Sequence, residues 1–235
     1  KGTIYYVDFN ITAEADVATE LELSSVPSST TAGSSFAITV TAKDTYGNVV
    51  KNYPGTMSLT STDGQANLPS SSTLTNGVKS FSLDLRTAGN QTVHFTDGNL
   101  SSTTSTIAVN PSTPDQISIT AGNNQSEYRG TTLPLDFQVR VKDAYNNLLS
   151  NQTIDWSITV GAGSLSVSNS TTDSNGLASS AYTLDVAPGS QSITATVHGT
   201  NKYVTFTAIS EGVALSSNTW NFNSTNILDF ILSDS

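Results

Sequence analysis

The feature that most constrains the fold of this chain is an internal repeat with a spacing of about 99 residues. The segment TAKDTYGNVV at 41–50 returns as VRVKDAYNNLL at 139–149, which places Asp44 and Asp143 99 positions apart. Other matched pairs keep an offset of 99 or 100: Asn76-Gly77 with Asn175-Gly176, Met57 with Trp156, and AGNQTVHF (88–95) with PGSQSITA (188–195). This period is too long for a solenoid unit and has the size of one small domain. The repeat therefore predicts two whole domains in tandem.

Apolar and polar residues alternate through most of both repeats, which predicts β-strands with one buried face. The inward positions predicted in this way are Phe36, Ile38, Val40, Ala42, Phe81, Leu83 and Leu85 in the first repeat, and Leu133, Leu135, Phe137, Val139 and Val141 in the second. Clusters of Gly, Asn, Asp, Pro and Ser separate the strands. This spacing of short strands and turns is typical of an antiparallel β-sandwich.

The repeated aspartates fit a role in turn formation. Asp44 and Asp143 are predicted to accept hydrogen bonds from backbone amides two residues further on. Gly47 aligns with Asn146, and these residue types tolerate a positive φ best, so we expect a left-handed conformation there. A calcium site is the alternative, with oxygens from Asp44 and Asn48. Because calcium requires more clustered oxygens than either repeat supplies, we favour the structural interpretation.

Two further turn features carry predictions. The Asn-Gly pairs at 76–77 and 175–176 are expected to form two-residue hairpin turns, whose twist matches that of the flanking strands. Tyr46 and Tyr145 are expected to pack across the turns of their own repeats. These features point to architecture and to no chemical activity.

The composition excludes several classes of protein. The net charge is −10, with 9 Lys and Arg against 19 Asp and Glu, which disfavours binding to nucleic acid. The chain has no cysteine, and Ser and Thr make up 71 of its 235 residues. No apolar run approaches the length of a membrane span. The absence of cysteine indicates either a prokaryotic surface protein or domains large enough to be stable through their cores alone, and the first residue, Lys1, suggests a processed chain or a fragment.

The segments KDTYGNVVKNYPGTMSLTSTDGQANLP and NGVKSFSLDLRTAGNQTVHFTD resemble the bacterial immunoglobulin-like repeats of large prokaryotic surface proteins. VKDAYNNLLSNQTIDWSITVGAGSLS and TDSNGLASSAYTLDVAPGSQSITATV are similar to the related repeats of the invasin and intimin type. The resemblance covers about residues 18–210 and depends on the Lys-Asp-x-Tyr turn, the Asn-Gly turn and the Gly-x-Gln start of a strand. It implies immunoglobulin-like β-sandwiches that serve as a stalk, spacer or adhesive module, and it implies no catalytic residue.

The expected fold is all-β, with two tandem immunoglobulin-like antiparallel β-sandwiches at 18–111 and 112–210. Residues 1–17 are expected to contribute an extra N-terminal strand, and 211–235 form an apolar C-terminal segment without an assigned structure. Two interpretations of these ends stay open. In the first, the N-terminal end is the last strand of a preceding domain and the C-terminal end is the start of a following domain. In the second, the two ends join copies of the chain head to tail by strand donation.

The sequence offers no catalytic constellation, and we expect neither an enzyme nor a cofactor or bound metal. His94 and His198 have no spaced second ligand and no nucleophile motif near them, so solvent-facing strand positions are expected for both. Candidate N-glycosylation sites are the seven sequon asparagines Asn10, Asn90, Asn99, Asn124, Asn151, Asn169 and Asn223. Chance alone accounts for about this many sequons in a chain so rich in Asn, Ser and Thr.

The function predicted from these features is that of an extracellular structural protein, a stalk, filament or adhesin segment at a prokaryotic cell surface. A linker near 110–116, stiffened by Pro111 and Pro114, is expected to join the domains. The expected partners are other copies of the chain and glycans or proteins of neighbouring or host cells. The alternatives are an S-layer protein segment and a carbohydrate- or receptor-binding module. Candidate aromatic side chains for the latter are Tyr128, Tyr182, Tyr203 and Trp156, of which Trp156 is in phase with core positions.

Overall fold

The computed structural model describes residues 14–212, and every regular element in that part of the chain is a β-strand. The strands are β1 (Glu20–Ser24), β2 (Ser29–Thr31), β3 (Ser35–Lys43), β4 (Thr56–Ser61), β5 (Ser72–Thr73), β6 (Val78–Asp84), β7 (Gly89–Gln91), β8 (Val93–Thr96), β9 (Ser101–Thr103), β10 (Ile107–Asn110), β11 (Gln116–Ala121), β12 (Gln125–Tyr128), β13 (Phe137–Lys142), β14 (Thr153–Val160), β15 (Ser164–Leu165), β16 (Asn169–Thr171), β17 (Leu177–Ser180), β18 (Tyr182–Thr183), β19 (Gly189–Val197) and β20 (Tyr203–Glu211). The predicted all-β fold is confirmed.

The strands of the first repeat, residues 18–111, pair only with one another in the described part of the chain. One sheet has the order β1-β3-β6 and is antiparallel throughout. Facing strands form the groups β2-β10-β7 and β5-β4-β8-β9, in which β10 runs parallel to β2. We call this unit repeat 1.

The second repeat, residues 112–210, has the same plan, and we call it repeat 2. Its smaller sheet has the order β11-β13-β17, and its larger sheet has the order β12-β20-β19-β14-β16. The strand β12 runs parallel to β20, as β2 does to β10 in repeat 1. A short pair, β15-β18, completes the unit.

Each repeat has its own hydrophobic core. The buried apolar residues of repeat 1 are Leu21, Ala32, Ile38, Val40, Ala42, Met57, Leu74, Phe81, Leu83, Leu85, Val93, Phe95, Ile107 and Val109. Those of repeat 2 are Leu133, Phe137, Val139, Val141, Leu149, Ile154, Trp156, Ala178, Tyr182, Leu184, Ile193, Ala195, Val197, Phe206 and Ala208. Met57 and Trp156 are equivalent and both buried, and the Trp156 indole Nε1 donates to Ser170 Oγ at 2.8 Å.

Leu135 departs from the alternating pattern, and its predicted burial is wrong. Its side chain is 58% exposed. The strand β13 begins two residues later, and before it the side chain of Gln125 bonds to the backbone of Leu135, with Nε2 donating to its carbonyl at 2.7 Å and Oε1 accepting from its amide at 3.0 Å. This clamp fixes the backbone outside the pleat of β13, so the sequence alternation does not apply there.

The two Asn-Gly pairs differ in the turns that they form. Asn76 and Gly77 both have positive φ, at 50° and 75°, in the two-residue hairpin turn that the sequence predicts. At the second pair only Gly176 has a positive φ, at 69°. There the loop has three residues, because Asp173 pairs with Leu177, and the prediction of a two-residue turn is wrong. The carboxylate of Asp173 accepts the amides of Asn175 and Leu177 and fixes this longer loop.

The predictions for the chain ends lie largely outside the described residues. Of the N-terminal segment 1–17, only 14–17 are described, and these four residues are not in a strand. Of the segment 211–235, Glu211 ends β20 and Gly212 follows it. Among the described residues, no helix is long and apolar enough to cross a membrane.

Candidate functional site at the junction of the repeats

The repeated aspartate motif forms the same turn twice, at residues 44–48 (turn 1) and 143–147 (turn 2). In turn 1, Asp44 Oδ1 accepts the backbone amides of residues 46 and 48 at 2.9 and 2.8 Å. In turn 2, Asp143 Oδ1 accepts those of residues 145 and 147, both at 2.9 Å. Gly47 and Asn146 have φ values of 82° and 69°, so the predicted left-handed position is confirmed.

The second carboxylate oxygen of each turn holds the chain that leads into the repeat. Asp143 Oδ2 accepts the backbone amide of Ser112 at 2.9 Å, and Asp44 Oδ2 accepts that of Asp16 at 3.1 Å. A hydrogen bond therefore fixes the linker between the repeats to repeat 2. The two prolines of the linker only restrict its backbone. The sequence-based prediction of a linker stiffened by Pro111 and Pro114 did not include this bond.

The hydrogen bonds determine the ionisation of both aspartates. Burial of Asp143 favours its neutral form, but the amides of Ser112 and Asn147 and the Asn147 side chain outweigh burial and lower the pKa of the Asp143 carboxyl. The pKa of Asp44 is lowered in the same way, with burial opposing and Asn48 as the main hydrogen-bond partner. Both groups are carboxylates at neutral pH, and N–H donors occupy both oxygens of each. Among the described residues, no group of three His, Cys, Asp or Glu side chains could hold a metal ion.

Turn 2 also contacts repeat 1, through the amide side chain of Asn147. Its Oδ1 accepts the backbone amide of Ala88 at 2.8 Å, and its Nδ2 donates to the carbonyl of Arg86 at 2.7 Å. The same Nδ2 donates to Asp143 Oδ2 at 2.8 Å, so one amide group joins the turn to residues 85–89, which we call the end loop of repeat 1. Asn147 is only 8% exposed. Separation of the repeats would remove the partner of its Oδ1 and one of the two acceptors of its Nδ2.

Tyr145 provides the apolar part of this contact. Its ring lies over Gly33, whose φ of 77° and lack of a side chain leave the necessary space, since a Cβ there would collide with the ring. The guanidinium of Arg86 lies over the same ring, 5.5 Å from its centroid. The ring also packs against the core of repeat 1. The expectation that Tyr145 packs across its own turn is therefore wrong, because the ring packs against repeat 1.

The side chain of Asp63, within repeat 1, fixes the end loop of repeat 1. This buried carboxylate accepts the backbone amides of Arg86 at 2.6 Å and Thr87 at 2.9 Å. Burial raises the pKa of the Asp63 carboxyl, but hydrogen bonds from the side chain of Thr87 and from the backbone of Thr87, Arg86 and Gln65 outweigh burial and lower the pKa. The side chain of Arg86 pairs with Asp84, with Nε 2.7 Å from Oδ1. Turn 2 thus docks on a loop whose backbone is already held in place.

Turn 1 presents the same side chains with no such contact in the described part of the chain. Tyr46 is 81% exposed, so the expectation that it packs across its own turn is also wrong. Asn48 is exposed and bonds only to Asp44 among the described residues. The two turns are alike in sequence and shape and differ in what lies next to them.

The remaining predicted sites lie apart from the junction. The sequon asparagines Asn90, Asn99, Asn124, Asn151 and Asn169 are all exposed. Asn10 and Asn223 lie outside the described residues, and glycosylation of all seven stays a prediction. His94 Nδ1 lies 2.8 Å from Thr103 Oγ1, and His198 Nδ1 lies 2.7 Å from Asp155 Oδ2 on the surface.

The candidate aromatic platform does not assemble. Trp156 and Tyr182 are buried core residues, and Tyr182 donates from its hydroxyl to Gln191 Oε1 at 2.9 Å. Tyr128 and Tyr203 are both exposed, but they lie at opposite ends of β20. Tyr203 begins this strand, and Tyr128 on β12 pairs with Glu211, which ends it. Eight residues of strand separate these positions, a distance of about 26 Å. They cannot contact one sugar ring together.

Acid is expected to destabilise the protein. The pKa values of Asp143, Asp63 and Asp173 are lowered in the folded state, by hydrogen bonds that outweigh burial in the first two and chiefly by the Leu177 amide in the third. A lowered folded-state pKa gives stability that is present above the unfolded pKa, about 4, and is lost as the pH falls through the folded value. We expect the free energy of unfolding to be level between about pH 5 and 7 and to fall below about pH 4. Urea titrations across this range measure it, and a stability that stays level to pH 3 would contradict the carboxylate bonds described above.

Comparison with known proteins finds one matching family and several similar solved structures. Residues 113–222 match the family described as "Bacterial Ig-like domain (group 1)". The solved structure of FdeC, an Escherichia coli adhesin, is similar with a TM-score of 0.53 and 22% identity over 84% of this chain and 67% of that chain. The D00-D0 domain of intimin gives 0.43 and 16% over 82% and 99%. Domains 4 and 5 of the S-layer protein SbsC give 0.37 and 19% over 84% and 100%.

No curated protein sequence matches the chain. The resemblance to bacterial immunoglobulin-like repeats that the sequence motifs indicate is confirmed by the family match, and the similarity to FdeC shows a shared fold.

Proposed function

We propose that the chain is a stiff segment of a prokaryotic cell-surface protein, from the premise that residues 113–222 match the family of bacterial Ig-like domains. In this proposal repeat 1 (18–111) and repeat 2 (112–210) are two domains, and their docked junction holds them in one relative orientation. The segment then works as a spacer in a surface adhesin or S-layer-like protein. No catalytic step is part of this function.

The observation that carries the proposal is the shared amide group of Asn147. A flexible linker needs no side chain that is buried between two domains. Here Asn147 bonds at once to its own turn and to the backbone of Arg86 and Ala88. Separation of the repeats would expose the ring face of Tyr145 and break three hydrogen bonds, the two of Asn147 to repeat 1 and one from Gln65 Nε2 to the carbonyl of Tyr145 at 3.4 Å. The preferred orientation is therefore the docked one, because bending at the linker costs these contacts.

Other features support an extracellular structural role. The two cores contain no disulfide, and each is built from strands bonded laterally over most of their length. The surface is rich in Ser, Thr and Asn, with a net charge of −10 that keeps chains apart in solution. Adhesive contact with glycans or proteins of other cells, and joining of copies by strand donation through 1–17 and 211–235, stay proposals within the same function.

The test is the distance between the repeats in variants of the two equivalent asparagines. The chain has no cysteine, so Thr60→Cys in repeat 1 and Ser157→Cys in repeat 2, both at exposed positions, accept one spin label each. Pulsed electron spin resonance is expected to give one narrow distance distribution for the otherwise unchanged chain. Asn147→Ala should broaden it, because the junction loses its shared amide group.

The matched control is Asn48→Ala. It removes the same side chain from the same kind of turn, but turn 1 makes no contact with repeat 2. The distribution should therefore stay narrow in this variant. A broad distribution in the unchanged chain, or equal effects of the two variants, would contradict a stiff junction and with it the proposed spacer function.

A further inference from the structure

Turn 1 is preorganised for a contact that the described part of the chain does not make. Asn48 Nδ2 donates to Asp44 Oδ2 at 3.1 Å, as Asn147 Nδ2 does to Asp143 Oδ2 at 2.8 Å in turn 2. In turn 2 this bond aims the amide group at repeat 1. In turn 1 the same bond holds the amide of Asn48 in place, beside the exposed ring of Tyr46.

The contacts of turn 2 define what such a turn binds. Its asparagine needs a backbone carbonyl and, two residues further on, a backbone amide, which Arg86 and Ala88 supply. Its tyrosine needs a surface without a side chain, which Gly33 supplies, and the guanidinium of Arg86 completes the ring contact. All three features lie at one end of repeat 1.

We propose that turn 1 is a docking surface for the end of another bacterial Ig-like domain, one that carries an end loop and a glycine like those of repeat 1. This inference depends on the proposed stiff-spacer function and extends it to a second junction, with Tyr46 and Asn48 in the roles of Tyr145 and Asn147. The docked partner would bury the ring of Tyr46, which is 81% exposed here.

The path of the chain into repeat 1 supports this partner. The amide of Thr19 donates to the carbonyl of Lys43 at 2.8 Å, and the amide of Asp115 donates to that of Lys142 at 3.0 Å. Asp16 and Ser112 bond to the two aspartates in the same way. The chain segments that lead into the two repeats are therefore held against turn 1 and turn 2 by equivalent hydrogen bonds. A domain attached before Asp16 would reach turn 1 from the direction in which repeat 1 reaches turn 2.

The end of repeat 2 does not fit turn 1, so a second copy of this chain docked there is not the partner. With the offset of 100 residues that relates the two regions, Pro188 stands in the place of Ala88 and has no amide hydrogen. Val186 stands in the place of Arg86 and provides no guanidinium. The partner is therefore a domain of the repeat 1 type, and the order of domains along an array is restricted.

The test is a chain in which a second copy of residues 16–111 is inserted after Pro111. The inserted copy places its own turn 1 against the end loop of the first copy, and the rest of the chain is unchanged. Thr60→Cys in both copies carries the spin labels. A narrow distance distribution between the two labels is expected, and Asn48→Ala in the inserted copy should replace it with a broad one.

The control is Asn48→Ala in the first copy, where turn 1 has no new neighbour, and here the narrow distribution should persist. A broad distance distribution in the chain without any asparagine substitution would overturn the proposal. A distribution that stays narrow when Asn48→Ala is introduced into the inserted copy would also overturn it. Failure of the spacer function itself is a separate result. It would appear in the chain without the insertion, as a broad distance between repeat 1 and repeat 2.

Discussion

Replacing Phe206 by alanine is expected to unfold repeat 2 while repeat 1 keeps its structure. The ring is fully buried, with its centroid 4.6 Å from that of Phe137 and 5.9 Å from that of Trp156. Its removal leaves a cavity at the centre of the core, at a cost of about 4 kcal/mol. This loss is a large part of the total stability of a domain of this size. Hydrogen exchange followed by mass spectrometry measures protection separately in peptides from the two repeats.

The matched variant is Phe95→Ala in repeat 1. Phe95 is equally buried and makes an edge-to-face contact with Phe81, with centroids 5.8 Å apart. We expect the opposite result in this variant: repeat 1 should lose its protection from hydrogen exchange and repeat 2 should keep it, because the two cores share no residue. Loss of protection throughout the chain in either variant would show one cooperative unit and would contradict a domain boundary between residues 111 and 112.

The alternating residues of the sequence were sufficient to predict the fold class and part of the core. Side chains on a strand alternate strictly between its two faces, so a run such as Ile38, Val40 and Ala42 has only one way to be buried. The equivalence of Met57 and Trp156 added a check across the repeats, and both are buried. The prediction failed at Leu135, because a side chain from elsewhere holds its backbone outside the strand.

The junction could not be predicted in the same way. Asn48 and Asn147 have the same sequence context and the same turn, yet one is exposed and the other is buried against repeat 1. They differ because repeat 1 lies beside turn 2, whereas no described residue lies in the equivalent place beside turn 1. The residues around each asparagine do not indicate which domain packs against it. The asparagine at the end of both turns was a signal, since the aspartate alone already satisfies the turn amides.

Replacing Asp143 by alanine is expected to lower the free energy of unfolding of repeat 2 by about 3 kcal/mol, because several N–H donors lose a buried acceptor at once. The carboxylate accepts the amides of Ser112, Tyr145 and Asn147 and the side chain of Asn147, at 2.8–2.9 Å. The junction should loosen as well, since the amide group of Asn147 then loses the bond that holds it to its own turn. Urea unfolding and the distance between the labelled repeats measure the two effects.

Asp173→Ala is the control that separates turn formation from the junction. Asp173 accepts two backbone amides in a turn of the same kind within the same repeat, but it is exposed and contacts neither the linker nor repeat 1. Its loss exposes those amides to water, so the decrease in stability should be smaller and the distance between the repeats should not change. If both variants gave equal losses and the same narrow distance, Asp143 would act only as a turn former. The orientation of the repeats would then depend on the bonds of Asn147 to repeat 1, the ring of Tyr145 and the prolines, and would not need the carboxylate that bonds to the linker, the turn and Asn147.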